Sequence, residues 1–237
     1  MEHTRVHHRR RRTGCLAVVL AAAAVTACGS SSSSGPASTR PSTTVAPATT
    51  VPPTTTTTTD PGLLPQTSTE PPIDGALQAA LTPLWSAMVS GSQAEALTVF
   101  FPRSAYLQMK TGILPDPSSD FADRLIAFYN LDLAAYHAAL GAGAPSATLV
   151  SVDATPSYAS WIPPGSCENK VGYWHLPGVR LVFRDAGTVQ SVAVASLISW
   201  RGTWYVVHLG PNPRPSDVGT VDQPATGPGT PGPPGGC

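Results

Sequence analysis

A chain of 237 residues carrying 14 basic and 14 acidic groups, with only 12% charged residues, has no basic excess to spend on phosphates. Arg5, Arg9, Arg10, Arg11, Arg12 and Glu2 all precede residue 28, so a chain that begins there is net acidic and nucleic acid is excluded as an expected partner. His-Glu-x-x-His, Cys-x-x-Cys, Gly-x-Ser-x-Gly and phosphate-loop patterns are missing, which leaves no metal and no other cofactor to expect.

In chain order, the first segment is a basic run followed by thirteen mostly apolar residues from Cys15 to Ala27. That stretch is well short of the roughly 20 residues that a membrane-spanning helix needs. Residues 1–27 therefore read as an export signal with a charged start, a short apolar middle and small residues before a cut. Val25-Thr26-Ala27-Cys28 resembles the lipobox of bacterial lipoproteins, with Val in the position where Leu is commonest. The resemblance implies diacylglycerol on the Cys28 sulfur, cleavage just before Cys28, and residence on the extracytoplasmic face of the cell membrane. The alternatives are an ordinary secreted protein with Cys28 as a free thiol, or export by the twin-arginine route, whose pattern Arg11-Arg12-Thr13-Gly14-Cys15-Leu16 fits poorly.

Residues 28–72 are almost entirely Ser, Thr, Pro, Ala and Gly, too poor in apolar groups to offset the entropy of ordering, and are expected to form a disordered stalk. Such a stretch is also a natural acceptor of O-linked sugars. Residues 211–237 have a similar composition and read as a Pro/Gly-rich disordered tail. Between them, residues 73–210 have the length of one domain with its own core.

Within that domain, Ile73, Leu77, Leu81, Leu84, Trp85 and Met88 make a helical stripe that Pro83 is expected to kink or to divide. Ser92-Gln93-Ala94-Glu95 fits a capping box opening a helix that carries Ala96, Leu97, Phe100 and Phe101 until Pro102 stops it. From Asp120 to Leu140 the residues Phe121, Leu125, Phe128, Tyr129, Ala135 and Tyr136 recur at helical spacing, with Gly141 as the stop. The period then changes. Strands are expected at Thr148 to Val152, Val179 to Arg184, Val189 to Trp200 and Thr203 to Leu209, the last three as an antiparallel meander. Helices followed by antiparallel strands predict an α+β domain.

The stretch "SLISWRGTWYVVHLG" resembles the closing hairpin of the nuclear transport factor 2-like (NTF2-like), or cystatin-like, superfamily. The resemblance implies a curved antiparallel sheet wrapped round N-terminal helices, with a concave face that often lines a ligand cavity. It implies little about activity, because one fold hosts many functions. The segments "FFPRSAYLQMK", "WIPPGSCENKVGYWHLPG" and "VVHLGPNPRP" also resemble a group of exported actinobacterial proteins, a resemblance that brings no function with it.

Candidate sites follow from the hairpin. With Arg201-Gly202 as a two-residue loop, His208 lies opposite Ala195, on a face with Ala193, Leu197, Ser199, Trp204 and Val206. Small neighbours leave room beside His208, making it the candidate acid or base of a pocket, with Asp153 as the one nearby acid. The plainer reading is a surface or structurally bonded histidine. The connection 156–177 is long and aromatic, so Trp161, Tyr173, Trp174 and His175 are candidate binding residues for sugars or a protein partner, or else a cluster that holds the loop down. Outside the cytoplasm, Cys167 and Cys237 are expected to pair, the alternatives being a free C-terminal thiol or an intermolecular link. The leading expectation is a non-catalytic binding or adaptor lipoprotein whose partner is an envelope protein, a wall glycan or a small apolar ligand. The alternative is a small-molecule enzyme of isomerase or dehydratase type acting through His208.

Overall fold

The computed structural model describes residues 59–214 and 216–235. By its contacts the chain divides into Met1–Thr54 and Thr55–Cys237, and every described residue belongs to the second unit. The export signal, the lipobox, Cys28, most of the expected stalk and Cys237 lie outside the described residues.

The helices come first. Asp74 caps α1 (Gly75–Ser90) by accepting from the Ala76 N–H at 2.8 Å, and Gly91, in the left-handed region at φ 72°, ends it. One helix runs through Pro83. The lost N–H bond there is outweighed by burial of Leu77, Leu81, Leu84, Trp85 and Met88 on both sides of it. Ser92 caps α2 (Gln93–Ala96) as expected, its hydroxyl accepting from the Glu95 N–H at 3.3 Å, but the Glu95 carboxylate turns to the Ser90 hydroxyl instead of closing the box. This helix also stops earlier than its sequence suggests. A 3-10 turn, Leu97–Val99, leads to an extended Phe100 that bridges to Val206, and Phe101 donates its N–H to the Val206 carbonyl at 2.9 Å. The two rings part between the layers: Phe100 packs on the helices, 4.5 Å from Tyr129, and Phe101 packs edge-on to Trp200 and Tyr205 of the sheet.

Pro102 then opens α3 (Arg103–Lys110), which the pattern analysis did not anticipate. Asp116 caps α4 (Pro117–Asp120), a π-helical turn spans Phe121–Ile126, and α5 (Ala127–Leu140) completes a near-continuous helical run. Its buried stripe of Phe121, Leu125, Tyr129, Leu133 and Tyr136 matches the spacing in the sequence.

The sheet has six antiparallel strands: β1 (Thr148–Asp153), β2 (Ser160–Ile162), β3 (Tyr173–Asp185), β4 (Thr188–Trp200), β5 (Thr203–His208) and β6 (Asp222–Thr226). β3 and β4 form a long central hairpin whose turn uses positive φ at Ala186 and Gly187. β1 and β2 share the outer edge of β3, while β5 and β6 share that of β4. This is the expected α+β architecture. Among the described residues, no helix is long and apolar enough to cross a membrane.

Both ends of the domain extend beyond the boundaries read from composition. On the N-terminal side, Asp60 caps a 3-10 turn at Pro61–Leu63, and the main-chain carbonyls of Pro61, Ser68 and Pro72 accept from the indoles of Trp200, Trp174 and Trp204. On the C-terminal side, the supposed disordered tail supplies β6 and a segment through Gly235. Asp132, 2% exposed on α5, fastens it by accepting from the N–H groups of Gly210 and Thr220 at 3.0 Å and pairing with Arg214 at 2.5 Å. Arg180, 1% exposed on β3, donates to the Gln223 carbonyl at 2.7 Å and to the Ser191 hydroxyl. Hydrogen bonds hold most of this segment, with Val221 as an apolar side chain packed against the core.

Candidate functional site

The two-residue loop Arg201-Gly202 is present, with φ 52° and 76°, and it sets the pairs Trp200↔Thr203, Ser199↔Trp204, Ile198↔Tyr205 and Leu197↔Val206. A bulge then intervenes, and His208 pairs with Ser196 instead of Ala195. One extra residue reverses every side chain beyond it, so His208 joins the face of Ser196 and Ile198.

Alternation along β3 puts Tyr173 and His175 on that same face, since His175 pairs with Ile198. The helices close the space above it. Tyr106, Met109 and Lys110 come from α3, Arg124 and Leu125 from the π turn, and Cys167 and Asn169 from the loop between β2 and β3. The cavity so enclosed measures about 210 Å³.

The sequence candidates separate here. Tyr173, His175 and His208 line the cavity. Trp161 and Trp174 pair with each other across β2 and β3 on the opposite face, edge to face with centroids 5.9 Å apart and partly buried. Tyr173, Trp174 and His175 belong to β3, so the long aromatic loop is shorter than expected and itself contains β2. Asp153 pairs with Arg180 on β1 and is not among the cavity's lining residues, so the suggested pairing of His208 with Asp153 is not made. Cys167 is disulfide-bonded. Its expected partner, Cys237, lies outside the described residues.

The polar groups differ in how far they are committed. His175 Nδ1 lies 3.2 Å from the Gly235 carbonyl and Nε2 lies 2.7 Å from the Ser196 hydroxyl. A carbonyl only accepts, so Nδ1 carries the proton and Ser196 donates to Nε2. Burial holds the His175 imidazole below its ordinary pKa. Arg124 grips Asp120 with two bonds of 2.7 Å, and the Tyr106 hydroxyl also donates to that carboxylate. These hydrogen bonds, Arg124's first, hold Asp120 below the usual carboxylate range, while burial and then the bond to Asp120 push Tyr106 up. The Lys110 ammonium donates to the carbonyls of Glu168 at 3.0 Å and Cys167 at 3.4 Å, and burial lowers its pKa.

Two groups are left over. The His208 ring makes no hydrogen bond to any described residue, and burial, followed by the positive charges of Arg124 and Arg214, pushes it down to about 4. Asn169, 5% exposed, donates from Nδ2 to the Tyr173 hydroxyl at 3.3 Å, while its Oδ1 has no partner. Of the two, the neutral imidazole of His208 is the one equipped to hydrogen-bond a guest in the cavity, since the Asn169 Oδ1 is buried out of its reach. At a pKa near 4, His208 is neutral at pH 7 and a weaker base than an ordinary imidazole, and no carboxylate lines the cavity to raise it.

A second cavity of about 380 Å³ lies at the other end of the sheet, between Trp85 and Met88 of α1, Leu140 of α5, Phe183 of β3 and Ala225 of β6. Tyr136 reaches it, but its hydroxyl is taken up by the carbonyls of Ala193 and Leu209 and the N–H of Asp222. Among the described residues, no group of His, Cys, Asp and Glu is placed to hold a metal. No protein-family model, no curated protein and no solved structure matches the chain.

Proposed function

We propose that this protein is an extracytoplasmic lipoprotein, anchored through diacylglycerol on Cys28, whose NTF2-like domain binds a small ligand beside His208 without transforming it. The observation that carries the binding reading is His208 itself, a half-buried imidazole whose ring makes no hydrogen bond to any described residue and which faces a cavity of about 210 Å³. The NTF2-like assignment is supported by helices that precede an antiparallel sheet built on a long hairpin, with the cavity between the two layers. The anchor is supported by the basic start, the short apolar stretch and Val25-Thr26-Ala27-Cys28. A wall glycan or an envelope protein is a second partner class, favoured by the partly buried Trp161 and Trp174 rings on the other face of the sheet.

Mass spectrometry of the protein taken from its native membrane tests both halves of the proposal. The expected result is a chain that starts at Cys28 with a diacylglycerol-sized increment, together with a non-covalent guest that is lost when His208 is replaced by Leu. An unmodified chain found in the medium refutes the anchor. A guest turned over into a product of different mass refutes the non-catalytic reading.

A further inference from the structure

Resting on that reading, we propose that the guest is a small organic carboxylate and that the Lys110 ammonium is its counter-charge. The first argument is the sign of the wall. Lys110, Arg124, His175 and His208 line the cavity, and no Asp or Glu does. That is unusual for this chain, in which acids outnumber bases once residues 1–27 are set aside.

The second argument concerns which charge is free to act. Arg124 is held in a two-bond grip by Asp120, so its fork is spent. Lys110 is not: among the described residues it makes no ion pair, and its hydrogen-bond acceptors are the two neutral carbonyls of Cys167 and Glu168. Its burial costs solvation that a carbonyl does not fully return. The exposed Glu168 side chain and the paired Asp120 attract the ammonium from outside the lining. One uncommitted monocation matches a monoanion. A phosphate ester asks for more, since a dianion is ordinarily met by an open guanidinium fork or a row of N–H groups, and the fork here is occupied.

The remaining groups define the rest of the guest. Neutral His208 offers one N–H to a carboxylate oxygen and one lone pair to a donor. Asn169 sets no further demand on the guest, because its Nδ2 is bonded to Tyr173 and its Oδ1 is buried out of reach of the cavity. Met109, Leu125, Ile198 and Val207 supply an apolar wall for a short carbon chain. A volume of about 210 Å³ equals that of about seven waters, which admits a hydroxy acid of a few carbons.

The test titrates the mature full chain with L-lactate, with its neutral isostere lactamide and with inorganic phosphate, while the His208 imidazole is followed by NMR. Lactate is expected to saturate, to shift the His208 resonances and to raise their titration midpoint. Lactamide is expected to bind at least about tenfold more weakly. Lys110→Gln is expected to cut lactate affinity by about tenfold or more and to leave lactamide unchanged, with Lys110→Met, which keeps the apolar stem and removes the charge, as a second variant should the first fail to fold. Lactamide binding as well as lactate, or phosphate binding better, overturns the carboxylate and leaves the binding reading in place. If none of the three perturbs His208 up to about 50 mM, the carboxylate and the cavity's role as a small-ligand site fall together.

Discussion

Acid titration offers a direct check on the site, because His208 has an ordinary pKa of 6.5 in the unfolded chain and about 4 in the fold. The folded value is the lower one, so as pH falls below 6.5 the unfolded chain takes up a proton that the fold refuses. Stability is complete above pH 6.5 and is lost from there down to about 4, below which both states are protonated. Integrating that difference from pH 7 to pH 4.5 costs about 2.5 kcal/mol, a large share of the 5–15 kcal/mol typical of a domain. His175, also held low by burial, adds a loss of the same sign, whereas Asp222, raised by burial, adds one of opposite sign. Comparing the chain with His208→Gln cancels both. Urea unfolding at pH 7, 6, 5 and 4.5 is expected to give curves for the two proteins that diverge progressively, with the variant losing about 2.5 kcal/mol less. Parallel curves refute the placement of His208 in a desolvated, cation-lined cavity.

Other consequences concern the two ends of the domain. Asp132→Ala leaves Arg214 buried without a counter-charge and two N–H groups without an acceptor, and is expected to lower unfolding free energy by about 3–5 kcal/mol in urea titration. A loss under about 1 kcal/mol would mean that the C-terminal segment is not fastened there. A chain beginning at Ile73 loses the carbonyl partners of the Trp174, Trp200 and Trp204 indoles, so its tryptophan emission is expected to move to the red and its Tm to fall; unchanged emission would return the boundary to residue 73. At Gly178, φ is 57° and an added Cβ would stand 2.4 Å from the Gly232 Cα. Gly178→Ala is therefore expected to cost about 1–3 kcal/mol and to speed proteolysis within residues 227–235, and unaltered protease resistance would contradict the close approach.

Much of the architecture was legible because it rests on apolar periodicity. The buried faces of α1 and of the run through α5, and the β-branched stretches of β4 and β5, carry their period openly. The start of β3 was hidden by Pro177 and Gly178, residues that argue against an interior strand. They are tolerated because β2 pairs with β3 only through His175 and β1 begins its pairing only at Arg180, so the strand is locally an edge where Pro177 stands. Into that gap comes Gly232, donating its N–H to the Gly178 carbonyl at 2.9 Å. The C-terminal segment stayed invisible for a related reason. Its attachments run through Asp132, Arg180 and main-chain groups, which leave no hydrophobic pattern.

The site was half legible, and the missing half turns on a single residue. A two-residue loop fixes pairing by simple symmetry, and the four pairs nearest the loop obey it. The symmetry then carries His208 to the wrong face, because nothing in Val206-Val207-His208 announces a bulge: both valines are good strand formers and neither needs an unusual φ. The sequence reading therefore set His208 beside a cavity but with the wrong neighbours, pairing it with Ala195 and seeking an acid in Asp153. The neighbours it has are Ser196, His175 and the cations of α3 and the π turn. That exchange alters the chemistry. A histidine beside a carboxylate is held protonated more readily, whereas one desolvated and then faced by Arg124 and Arg214 is kept neutral and left to donate and accept hydrogen bonds. The bulge that moves His208 across the sheet thus exchanges the carboxylate neighbour expected from the sequence for a wall of cations.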